Sequence, residues 1–154
     1  IHYFMKGIQG KIPPFVCKNP GLDSGYMIAH VTSTSLASEN KTLSHPASVD
    51  SLPTSGGQED LVSMAPWAGL KLIQIQKNVN RILAIELIVA GAAHSLISPK
   101  LKSGDGTSKV LDILKKYCSF SKGDRSLTYE IESVYKILSS GHLYHDISQH
   151  LTLE

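Results

Sequence analysis

Gln58, Glu59 and Asp60 follow directly on Ser55-Gly56-Gly57, and they are the run best equipped to do chemistry. A carboxylate such as Glu59 can accept a charge-assisted hydrogen bond and take part in proton transfer. The same residues also suit a helix start. Ser55 and Gln58 have the spacing of a capping box, and acids at 59 and 60 in a first turn would favour the positive end of a helix dipole. On spacing alone, the helix start is the more ordinary reading.

Other groupings carry weaker chemistry. His142, His145 and His150 gather near the carboxy terminus, but their spacing puts only the first two on one helical turn. With no cysteine nearby, a solvated tail is expected rather than a metal site. His45 lies in a loop, where a structural hydrogen bond is expected. Gly104-Asp105-Gly106-Thr107-Ser108-Lys109 lacks the spacing of a phosphate loop and follows no strand. Neither a GxSxG elbow nor an HExxH helix occurs. Cys17 and Cys118 stand about a hundred residues apart, outside any CxxC pair. Two reduced thiols in the cytoplasm are the expectation.

These residues must be carried by helices and loops. Residues 1–21 are rich in Gly and Pro and read as loop. Tyr26, Met27, Val31, Leu36 and Ala37 give an apolar helical face over 22–43, with small residues between them. Residues 44–57 have loop chemistry throughout. A long helix is predicted over 58–97, where Leu72, Ile75, Val79, Ile82 and Leu83 recur at helical spacing and Pro66 marks either an early turn or a kink. Shorter helices are expected over 108–118 and 128–140, the second stopped by Gly141. The tail from His142 is left unassigned. No alternating strand pattern stands out, so the fold class is all-α.

The long helix bears on assembly. From Pro66 to Ile97 it would run about 48 Å at 1.5 Å per residue, whereas a compact domain of this length is about 38 Å across. Its sides are too apolar to face water, so association with other chains is expected. Glu86, alone within the apolar stretch Ile82–Ala93, is expected to be paired at such a contact. That stretch is too short, with an acid inside it, for a membrane span. The composition agrees with a globular protein: 154 residues, 42% apolar, 18% charged, and a formal charge of +2 with no basic patch for nucleic acid. The first residues contain no initiator methionine, and the chain is expected to be a piece of a longer one.

A longer pattern is more specific than any of these motifs. Asn19-Pro20-Gly21-Leu22-Asp23-Ser24-Gly25-Tyr26-Met27-Ile28-Ala29 is followed in order by Ser38-Glu39-Asn40-Lys41, Ser44-His45-Pro46, Ser48-Val49-Asp50-Ser51, Gln58-Glu59-Asp60 and Val62-Ser63-Met64. Ile82-Leu83-Ala84-Ile85-Glu86, Asp124-Arg125 and Glu130-Ile131-Glu132 extend it. The whole string resembles the histidine ammonia-lyase family over nearly all of the chain, at its carboxy-terminal portion.

That resemblance implies a homotetramer of long helices whose active sites are assembled from several subunits. It implies loss of ammonia from L-histidine to give urocanate. The electrophile in the family is a methylidene-imidazolone made from an internal Ala-Ser-Gly, a tripeptide these residues do not contain. The chain alone is therefore expected to be inactive. Glu59 would be the catalytic residue facing the substrate imidazole, Gln58 would sit beside it, and Met27 would line the substrate pocket. Relatives specific for phenylalanine or tyrosine carry an amide where this chain has Glu59. One departure is Leu61, where the family usually has His. A tyrosine or phenylalanine ammonia-lyase or aminomutase is the alternative, and a non-catalytic helical oligomerisation module is another.

Overall fold

The computed structural model describes residues 1–97, 102–120 and 123–149. Among them lie six α-helices: α1 (His2–Lys6), α2 (Met27–Leu43), α3 (Ala65–Leu96), α4 (Asp105–Leu114), α5 (Thr128–Ser139) and α6 (His142–Ser148). Extended pairing among the described residues is limited to isolated bridges, so the class is all-α.

The long helix α3 organises everything else. Its first half packs against α2, its second half meets α5 and α4, and the short turn Pro14–Val16 also lies on it. Ala84, Ile85, Ile88, Val89, Ala92 and Ala93 of α3 form the core with Met5, Ile12, Val16, Tyr26, Ala29, Leu114, Cys118 and Val134. Burial of such side chains is worth about 1.5–3 kcal/mol each for the larger ones, which makes this end of the molecule the stable one. Gly91 permits a close approach within this core. A Cβ there would meet the Phe120 ring at 2.6 Å.

By length and composition alone α3 could cross a membrane. The expectation from Ile82–Ala93 considered too short a stretch, because the helix runs over 32 residues. Its buried carboxy-terminal half nevertheless makes it the central helix of a packed helical core. The other half is different. Trp67, Leu70, Leu72 and Ile73 are exposed, and Glu86 is exposed too, so within this chain its carboxylate needs no buried partner.

Several boundaries move from those the periodicity suggests. Residues 1–21 are not all loop, since α1 and the Pro14–Val16 turn lie within them. The predicted helix 22–43 begins only at Met27. Residues 19–25 are held in a turn, with Gly25 at φ +57°, where an added Cβ would lie 2.4 Å from the Phe15 carbonyl oxygen. The predicted helix 58–97 begins at Ala65, with Pro66 in its first turn, where a missing N–H costs nothing. The 108–118 helix starts earlier, at Asp105, and ends at Leu114. Gly141, at φ +76°, ends α5 as expected, and α6 follows at once.

Candidate functional site

The capping box at Ser55–Gln58 does not form, because no α-helix begins there. Ser55, Gly56 and Gly57 all have positive φ and make a tight turn instead. Thr54 and Glu59 close its base. The Thr54 N–H donates to the Glu59 carbonyl at 3.0 Å, and the Glu59 N–H donates back at 3.4 Å. The Thr54 hydroxyl also donates to Glu59 Oε2 at 3.0 Å. A second tie follows: Ser51 Oγ accepts from the Val62 N–H at 2.8 Å and donates to its carbonyl at 3.2 Å. These bonds use the backbone groups that a helix over 58–64 would need, which is why α3 starts late.

Glu59 is therefore presented from the base of a pinned turn rather than from a helix end. Gln58 and Glu59 are both exposed in the single chain. Between the start of α3 and the 47–50 loop, an open cleft of about 510 Å³ is lined by Ala47, Asp50, Leu61, Met64 and Ala68, and neither Gln58 nor Glu59 is among its lining residues. The turn is anchored to the helices behind it. Lys71, buried in α3, donates through Nζ to the His45 carbonyl and lies near the Trp67 ring. His45 thus has a structural role, played by its backbone oxygen. Deeper, the buried Asn78 of α3 donates to Glu39 Oε2 and to Asn40 Oδ1, both at 2.9 Å, and locks α2 to α3.

Met27 is the first residue of α2, 37% exposed. The Glu59 turn lies beyond the other end of that helix, past Leu43 and next to the start of α3. Seventeen residues of helix span about 25 Å, so one chain does not bring Met27 and Glu59 together.

A second polar cluster holds the Met27 end, and spacing alone did not single it out. Asp124 accepts from the backbone N–H groups of Ser24 and Gly25, each at 2.8 Å, and these two donors hold its carboxyl below the usual aspartate range. Arg125 binds Glu130 through two bonds, of 2.8 and 2.9 Å, and donates to the Tyr26 hydroxyl at 3.4 Å. Burial raises the Tyr26 phenol and also pushes the Cys118 thiol up to about 12. A cavity of about 190 Å³ lies here, between Cys17, Lys18, Tyr26, Phe120 and Arg125. Asp124 and Arg125 are committed to neighbouring groups, so the cluster is architectural. Its members Ser24, Gly25, Tyr26, Asp124, Arg125 and Glu130 all fall within the long pattern, which did not show that they meet.

Of the carboxy-terminal histidines, His142 and His145 lie on α6, and the His145 ring nitrogen meets Gln149 Nε2 at 2.8 Å. His150 is outside the described residues.

The profile of the family described as aromatic amino acid lyase matches residues 1–116. The chain belongs to that family. Among relatives of this aromatic amino acid lyase chain, the histidine ammonia-lyase of Natranaerobius thermophilus is 41% identical over 138 residues, which is 90% of this chain and 27% of that protein. The solved histidine ammonia-lyase of Trypanosoma cruzi superposes with a TM-score of 0.84 at 39% identity, over 91% of this chain and 27% of that one. A tyrosine aminomutase from Streptomyces globisporus does so with a TM-score of 0.81 at 28% identity, over 93% and 27% respectively. The chain thus spans about a quarter of the length of these lyase relatives.

Proposed function

We propose that this chain is the carboxy-terminal part of a histidine ammonia-lyase, and that Glu59 is the residue it contributes to the chemistry. The observation that carries this reading is the pinned turn, which presents a carboxylate with one oxygen held and the other free. In the proposed reaction L-histidine loses its amino group and a β-hydrogen as ammonia departs, and the double bond of urocanate forms. Glu59 would accept the imidazole N–H in a charge-assisted hydrogen bond and assist proton movement at the ring. Gln58 would add hydrogen bonds beside it, and Met27 would line the pocket with its apolar side chain.

The methylidene-imidazolone of the family would supply the electrophile that the elimination requires. The residues present here do not include Ala-Ser-Gly, so the group would form on polypeptide outside this chain, which we propose to be inactive alone. Assembly from several copies fits the same picture. Met27 and Glu59 lie at opposite ends of α2, so each would serve a site completed by other subunits of a homotetramer. The exposed apolar side chains of α3, Trp67, Leu70, Leu72 and Ile73, offer a surface for that association. Two buried free thiols suit the cytoplasm as its compartment.

Leu61 favours a second substrate reading, tyrosine or phenylalanine, because the family's usual histidine is missing beside the acid. Assaying the full-length protein with L-histidine, L-tyrosine and L-phenylalanine decides between them. Urocanate absorbance rising with L-histidine alone supports the proposal. Turnover of the phenolic or phenyl substrate instead would transfer the assignment to an aromatic lyase or aminomutase. No turnover of any of the three would leave a helical assembly module.

A further inference from the structure

We infer that Thr54 is a positioning residue for Glu59, an inference that rests on the role proposed for that carboxylate. A glutamate on an exposed turn has three side-chain torsions to lose before it can meet a substrate in one geometry. Here the Thr54 hydroxyl takes Oε2 at 3.0 Å. A carboxylate has lone pairs on both oxygens, so Oε1 remains able to accept a substrate N–H while Oε2 is held.

The backbone makes this arrangement specific to position 54. The reciprocal bonds between Thr54 and Glu59 set the two Cα atoms opposite one another across the turn. Ser55, Gly56 and Gly57, at φ +56°, +68° and +88°, reverse the chain so tightly that the two side chains fall side by side. Ser55 occupies this left-handed conformation without glycine's freedom, so the closure at Thr54 and Glu59 holds a strained residue in place. The Ser51–Val62 tie keeps the base of the turn from sliding. A β-branched residue at 54 also restricts χ1, which aims the hydroxyl. Valine has the same shape without the donor, and serine has the donor without the branch.

The test uses full-length protein and four variants: Thr54→Val, Thr54→Ser, Glu59→Gln and the Thr54→Val/Glu59→Gln double. Turnover of L-histidine is followed by urocanate absorbance, and oligomer size and helicity are checked alongside. Thr54→Val should lower kcat/KM about tenfold or more, the scale of a hydrogen bond to a charged group. Thr54→Ser should restore most of that loss. In the Glu59→Gln background, Thr54→Val should add little further loss, because a residue acting through Glu59 has nothing left to position. Thr54→Val with wild-type kcat/KM, or a loss repeated in full in the Glu59→Gln background, overturns the inference and leaves the role of Glu59 standing. Wild-type turnover in Glu59→Gln overturns both. If Thr54→Val does not fold, Thr54→Ala carries the same comparison; failure of both would make the hydroxyl structural and overturn the inference.

Discussion

Asp124 and Gly25, ninety-nine residues apart, are joined by a 2.8 Å hydrogen bond from the Gly25 N–H to the Asp124 carboxylate. Its other oxygen takes the Ser24 N–H at the same distance. The pair holds residues 24 and 25 in the turn before α2, where Gly25 at φ +57° lies outside right-handed helical geometry, so the helix starts only at Met27. It also fixes the backbone immediately before Met27.

The clamp should make stability pH-dependent in a definite direction. Asp124 has a folded-state pKa below its ordinary 3.8, because Ser24 and Gly25 donate to its charged form. Its contribution is therefore fully present above about pH 4 and is lost as pH falls through the lowered folded value. Asp124→Asn should unfold at a lower temperature than the wild type at pH 7. The gap should narrow below about pH 4. A gap that stays constant from pH 7 to pH 3 would contradict the charged clamp.

Packing at Gly91 gives a second expectation. Alanine is intrinsically better than glycine in a helix by about 1 kcal/mol. Here its Cβ would overlap the Phe120 ring at 2.6 Å, and overpacking costs about 1–3 kcal/mol. Gly91→Ala should therefore lower the unfolding midpoint in urea, and Phe120→Leu combined with it should recover part of the loss. A stabilised Gly91→Ala would mean that Phe120 swings aside freely.

Thiol reactivity tests the core around Tyr26. Burial is the main reason that the Cys118 pKa rises to about 12, with the Glu130 charge pushing the same way and Arg125 opposing. Almost no thiolate is then present at pH 8, and the thiolate is the reactive form. Cys17 is raised as well, first by burial and next by Asp23. Native protein should leave both cysteines unlabelled by a disulfide reagent at pH 8 over minutes, and denaturant should release both. Rapid labelling of Cys118 in the native state would show that this end of the core is open.

Much of the architecture can be read from residue order because local physics sets it. Gly141 adopts a positive φ that other residues resist, so it ends α5 wherever the helix packs. Pro66 can sit only in a first turn or at a kink, and the run from Leu72 to Ala93 is helical by its own periodicity. The ordered match to the lyase pattern made Glu59 stand out from common helix-start chemistry. Helix α6, only seven residues long, is too short for periodicity to announce it.

The starts of α2 and α3 are a different matter, since the competing partners are distant in sequence or hidden in turn geometry. Asp124 takes the N–H groups of Ser24 and Gly25 from about a hundred residues away, and Thr54 and Ser51 take those of Glu59 and Val62 across a turn. These partners hold turns in which Gly25, Ser55, Gly56 and Gly57 have positive φ, outside helical geometry, and apolar spacing says nothing about which partners the folded chain delivers. The same holds for the placement of Met27 and Glu59. Both belong to one matched pattern, yet a helix of about 25 Å holds them apart, because distance along a rigid rod is settled by folding and not by the order of residues.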